Sequence, residues 1–116
     1  MGIYRVYSGS DGESHLEELD LSQHPELTST DNLRGLQIRQ PGSRTSGDTS
    51  QLAEFHNAPN RRLATWLTGH TEIGLGDGSV HHFGPGDMVL FEDTTGRGHT
   101  TNVADGTTTV FILLPD

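Results

Sequence analysis

The chain is 116 residues long with a formal net charge of −9, and it contains neither cysteine nor lysine. That length supports one domain with a modest core. Without thiols there is no disulfide, thiolate ligand or cysteine nucleophile, without lysine there is no Schiff-base chemistry, and the negative balance argues against a nucleic-acid or anionic-membrane partner.

Only 30% of the chain is hydrophobic, but that fraction is concentrated in short alternating runs, so a folded β-domain is expected rather than disorder. No stretch near the N-terminus has the charged and apolar regions of a secretion signal, and no apolar run approaches membrane-spanning length. A cytoplasmic protein is the expectation.

Ile3–Tyr7 is a β-branched and aromatic run, followed by the turn-rich Ser8–Gly12. His15–Leu21 is read as a strand, although Leu16, Leu19 and Leu21 fit neither period cleanly. Ser22–Asn32 is a polar loop containing Pro25, and Leu33–Gln40 alternates as a strand. Pro41–Ser50, rich in Gly, Ser and Thr, reads as a loop. Strands are expected at Gln51–Ala58, Arg62–Leu67, His70–Leu75, Ser79–Phe83, Asp87–Glu92, His99–Ala104 and Thr107–Leu114, the last of them buried. Glycine sits between the runs, as tight turns require. The fold class is all-β: residues 1–116 form a single domain of eight to ten short strands in a closed barrel or two sheets.

The section from His56 to His99 carries the chemistry. Its turns at Thr68-Gly69, Gly76-Asp77-Gly78 and Gly84-Pro85-Gly86-Asp87 can fold the chain back on itself. The two histidines then meet although 43 positions separate them. Arg62, Ala64 and Trp66 share one strand face, where Arg62 and Trp66 either line a ligand pocket or pack in the core. The loop Thr94–Gly98 places Arg97 where it can reach over a pocket mouth. His81 and His82 are consecutive, so at most one points inward, and His70 follows a turn and is expected to be exposed. His15 shares strand parity with Glu17, which makes either an acid–base pair or a solvated acidic face.

Residues 50–115 resemble the two-part signature of the cupin superfamily, G-x5-H-x-H-x3-4-E-x6-G and G-x5-P-x-G-x2-H-x3-N. His56 falls on the first histidine, Gly69 closes the first part, and Gly96-Arg97-Gly98-His99 matches the glycine-to-histidine spacing of the second. Ala58 stands where the family has its second histidine, Arg62 where it has glutamate and Thr94 where it has proline. Two extra residues follow Gly86, and Asn102 comes one position early. The first 50 residues show little of the likeness. The resemblance implies an antiparallel jelly-roll barrel, a small-molecule ligand and a homodimer, for which the Ile3–Tyr7 segment is the candidate pairing edge.

The resemblance also implies a divalent metal: iron, manganese, nickel or zinc on three histidines and a glutamate. Two of those four positions are kept here, and the guanidinium of Arg62 opposes a dication. Glu54, two residues before His56, would restore a third ligand beside His56 and His99; alternatively it pairs with Arg62. Three functions follow. The first is a metal-independent enzyme in which His56, His99 and Arg62 carry proton transfer (isomerisation, dehydration or cyclisation) on a small anionic or enolic metabolite, with Trp66 and Arg97 contacting it. The others are a metal-dependent dioxygenase or decarboxylase, and a non-catalytic ligand-binding cupin.

Overall fold

The computed structural model describes residues 2–28, 33–40 and 54–115. Among them are nine strands: β1 (Ile3–Ser8), β2 (Ser14–Glu18), β3 (Gly35–Arg39), β4 (Arg62–Thr68), β5 (Thr71–Gly74), β6 (Val80–Phe83), β7 (Met88–Phe91), β8 (Thr100–Val103) and β9 (Thr108–Leu113). Two short 3-10 turns, Leu21–Gln23 and Pro25–Leu27, replace the end of the run expected to be a strand through Leu21. Asp20 initiates the first of them by accepting from the Ser22 amide, which ends the extended conformation. No helix among the described residues is long and apolar enough to cross a membrane. The expected loop at Pro41–Ser50 lies outside the described residues.

The strands form a six-stranded sheet in the order β2-β1-β7-β4-β9-β3 and a three-stranded sheet in the order β6-β5-β8. The all-β expectation holds, with two corrections. Among the described residues the sheets do not join into a closed barrel, and pairing is not wholly antiparallel, because β1 runs parallel to β7. A parallel pair needs a long connection, and here everything from β2 to β6 supplies it. β1 is therefore an interior strand between β2 and β7, so Ile3–Tyr7 is not a pairing edge.

Alternation decides which side chains meet. On the inner face of the large sheet Val6, Val89, Ala64, Trp66 and Phe91 pack against Ile73, Leu75 and Phe83 of the small one. The outer face carries Leu63 and Leu90, covered by Leu19 and Leu27 from the segment after β2. Trp66 serves the core as well as the cavity described below: it is 4% exposed, stacks on Phe83, and its indole N–H donates to Thr71 Oγ1 at 2.9 Å.

A clamp at Glu92 ties β1 to the wall beside the site. Its two carboxylate oxygens accept from Arg5 Nε and Arg61 Nε, each at 2.5 Å. Burial opposes ionisation of this carboxyl, but the two arginine bonds and charges outweigh it and hold it below the usual carboxylate range. A depressed carboxyl contributes stability above its unfolded pKa and loses it as pH falls through the lowered native value. Glu92→Gln is expected to cost about 2 kcal/mol at pH 7. The difference from wild type should shrink as the pH is lowered, which urea unfolding at a series of pH values measures.

Candidate functional site

The inner faces of both sheets line a partly open cavity of about 80 Å3. Its apolar lining comes from Ala64, Trp66, Ile73, Phe91, Val103 and Phe111, and its polar lining from His56, His99, Arg62, Arg39, Thr101 and Thr109. Strand parity explains the two arginines and Thr109: Arg62 is opposite Phe91 and Leu113, and Arg39 is opposite Thr109, all on the inward side.

His56 and His99 meet as the sequence suggests, by a different device. The chain around His56 is not a strand. Two reciprocal backbone bonds, His56 N–H to the His99 carbonyl and His99 N–H to the His56 carbonyl, both 2.9 Å, make one isolated bridge. The imidazole centroids lie 4.7 Å apart, tilted by 57°. Gly98 permits the approach: its φ is +83°, and a Cβ there would collide with the His56 carbonyl.

Each ring is held in one tautomer. His99, 5% exposed, places Nδ1 2.5 Å from Asp93 Oδ2, and Ser14 Oγ donates to the same oxygen at 2.7 Å. Asp93 is fully buried, and its Oδ1 has no hydrogen-bond partner among the described residues. Nδ1 of His99 is thus the donor to Asp93, and Nε2 is the ring nitrogen not engaged by it. His56 Nδ1 donates to the Glu54 carbonyl at 3.0 Å, while its Nε2 accepts from Thr101 Oγ1 at 3.2 Å. Burial lowers the His56 pKa, the Glu54 carbonyl opposes that shift, and the neighbouring His99 adds to it.

Arg62 is 8% exposed and does not pair with Glu54. Its Nε and Nη2 donate to Asn60 Oδ1 at 3.0 and 2.6 Å, and the guanidinium lies 5.4 Å from the centre of the Phe111 ring. Arg39 stands on the same ring at 5.8 Å. Burial, then the charge of Arg39, lowers the Arg62 pKa.

Glu54 is exposed, and it is its backbone carbonyl that engages His56. The parity that would turn its carboxylate toward the histidines requires a strand that residues 54–58 do not form. Among the described residues no group of three or more His, Cys, Asp or Glu side chains could hold a metal ion. Two imidazoles sharing a cavity with a guanidinium do not fit the four-donor set that the resemblance implies.

Arg97 does not line the cavity: it packs 3.9 Å above Phe55 and bonds Glu13 at 3.2 Å. Its loop is tied down rather than poised to gate, since Asn57 Nδ2 donates to the Asp93, Thr95 and Gly96 carbonyls and Ser8 Oγ to that of Thr95. The remaining histidines are elsewhere. His15 bonds Asp11 at 2.9 Å, because Glu17 is taken by Arg5. His82 faces outward beside Glu72, His81 bonds Ser79, and His70 is exposed. Asp93, Asn60 and Arg39 were not evident from the sequence; a carboxylate six positions before His99 was the one available signal.

Gly98→Ala is expected to remove about 2 kcal/mol or more of stability and to separate the two imidazoles. Gly78→Ala, equally left-handed at φ +88° but in open space, should cost only about 1 kcal/mol. Thermal unfolding and the imidazole 1H–15N spectrum distinguish the two. No protein-family model, curated protein or solved structure matches the chain, so the geometry alone carries the functional argument.

Proposed function

We propose that this chain is a cupin-type jelly roll acting as a small-molecule enzyme, transferring protons without a metal on a small anionic or enolic metabolite. The observation that carries the reading is the His56–His99 pair, two imidazoles whose Nδ1 atoms are each held by a fixed acceptor, on a cavity that also holds Arg62. At 4.7 Å the two rings disfavour a second positive charge, so when one is protonated the other stays neutral. In each turnover His99 is first the base and then, once protonated, the acid, while His56 stays neutral beside it. His99, with Asp93 behind it to stabilise the imidazolium as it forms, takes the proton from an acidic C–H through Nε2. Arg62 stabilises the oxyanion that develops on the adjacent carbonyl. Return of the proton to a neighbouring carbon completes an isomerisation; its delivery to a departing hydroxyl completes a dehydration.

The test is deuterium wash-in from D2O into a panel of small oxo acids and enolisable ketones, followed by 1H NMR. Wild type should exchange at least one of them above the buffer rate. His99→Ala should lower that rate about a hundredfold or more, and Asp93→Asn about tenfold or more with the fold intact. Because the His56 pKa is lowered, His56 stays neutral below the pH at which a free imidazole protonates. Its share of the rate should persist into that range and fall only as pH drops through the lowered value. Full activity in the His99 variant would overturn the mechanism.

The expected homodimer pairs through β3 in this reading. Among the described residues β3 is an edge of the large sheet, and its Leu36 and Ile38 are 65% and 59% exposed. Antiparallel pairing about Gln37 sets Leu36 against Ile38 of a second copy on one face, the self-complementary arrangement that a two-fold axis requires. Sedimentation at micromolar protein should show a dimer that Ile38→Glu converts to monomer; a monomeric wild type overturns this pairing.

A further inference from the structure

Arg62 brings a positive charge into the cavity that no described residue neutralises. A guanidinium has five N–H donors, and two of those on Arg62 go to the neutral amide oxygen of Asn60. No acidic residue is among the described residues lining the cavity. The buried Asp93 does not line the cavity, and its Oδ2 is taken by His99 and Ser14. Because the Nε and Nη2 positions face Asn60, the donors left over are those at the Nη1–Nη2 end. That end forms a planar fork matching the two oxygens of a carboxylate. The fork cannot turn away, since Asn60 and the face of Phe111 fix the plane of the group.

Beside the histidines, the threonines and Arg39, the lining includes an apolar patch of Trp66, Ile73, Phe91 and Val103. The space is about 80 Å3, against the roughly 150 Å3 of an apolar cavity that holds benzene. A body of a few carbons fills it. Phosphate, with its larger charge and hydration and no apolar portion, leaves that patch uncovered.

We propose that the cavity binds a small organic monocarboxylate, its carboxylate on the free fork of Arg62 and its short apolar body against Trp66, Ile73 and Val103. The inference rests on the proposed function only in taking this cavity as the substrate site. It places the reacting carbons between Arg62 and the histidine pair, and makes the substrate a small carboxylic acid rather than a neutral enol or a phosphorylated compound.

Titration of 15N-labelled protein at pH 7 with butyrate, butyramide, acetate and inorganic phosphate tests it. Butyrate should shift the Trp66 indole and Thr101 signals and bind at least tenfold more tightly than isosteric butyramide. It should also bind about tenfold more tightly than acetate, as two buried methylenes imply. Arg62→Gln should bring butyrate and butyramide to equal affinity. Asn60→Asp, which supplies Arg62 with an internal counter-ion and leaves the packing intact, should do the same, so the test survives if the Arg62 variant fails to fold. Equal binding of butyrate and butyramide to wild type, displacement of butyrate by equimolar phosphate, or butyrate shifts confined to residues outside the cavity would each overturn the proposal. Butyrate binding without deuterium exchange in any panel compound would remove the proton-transfer reading and leave this one standing; exchange without a carboxylate preference would do the reverse.

Discussion

The reciprocal backbone bridge between His56 and His99 is the contact on which the site depends. It joins the segment that enters β4 of the large sheet to the segment that enters β8 of the small one, and so fixes the spacing of the two sheets where the cavity lies between them. A side-chain contact could rotate away. Two reciprocal backbone hydrogen bonds hold the Cα atoms together, and the bonds each ring makes to Asp93, the Glu54 carbonyl and Thr101 set the imidazoles on that base. The bridge exists only because position 98 has no Cβ, which makes a glycine in a loop a determinant of the relative placement of two titratable rings.

Around that bridge the charges are kept apart. The buried carboxyl of Asp93 gives its Oδ2 to His99 and Ser14, whereas the buried guanidinium of Arg62 rests on a neutral amide. Had the two been paired directly, each would be satisfied and neither available to a ligand. The separation leaves an electric field across an apolar space, a preorganised environment for a reaction in which charge moves from a C–H bond to an oxygen. Such an arrangement costs folding free energy, and the core under it, including the Trp66–Phe83 stack, is closely packed.

Much of this was legible in the residues. Alternation and turn chemistry located most strands and put Arg62, Ala64 and Trp66 on one face, and the meeting of His56 and His99 was expected, though not the isolated bridge that makes it. What failed was anything set by distant pairing. Glu54 was assigned a direction by strand parity, but residues 54–58 make a single bridge and no strand, so the parity did not apply. Of the two readings of His15, the pair with Glu17 does not form: Arg5, on the strand alongside, holds Glu17, and His15 bonds Asp11. Arg39 reaches the cavity from β3, whose place beside β9 no local pattern encodes. Asp93 was hidden for a related reason: a lone carboxylate at a loop entrance looks solvated until the fold buries it.

The position of β1 reaches into how the chain assembles. It lies at the start of the sequence yet occupies the interior of the large sheet, hydrogen-bonded in parallel to β7, with the Gly2 amide on Asp87 and Arg5 on Glu92. Each of these contacts spans 85 or more positions. β1 must therefore wait, unpaired on one side, until β7 has been synthesised. Loop closure of that length is entropically slow. During synthesis and refolding alike, the apolar Ile3, Tyr4 and Val6 are exposed to other chains before their own partner strand exists, and the antiparallel hairpin with β2 is the local structure available to shield them in the interval.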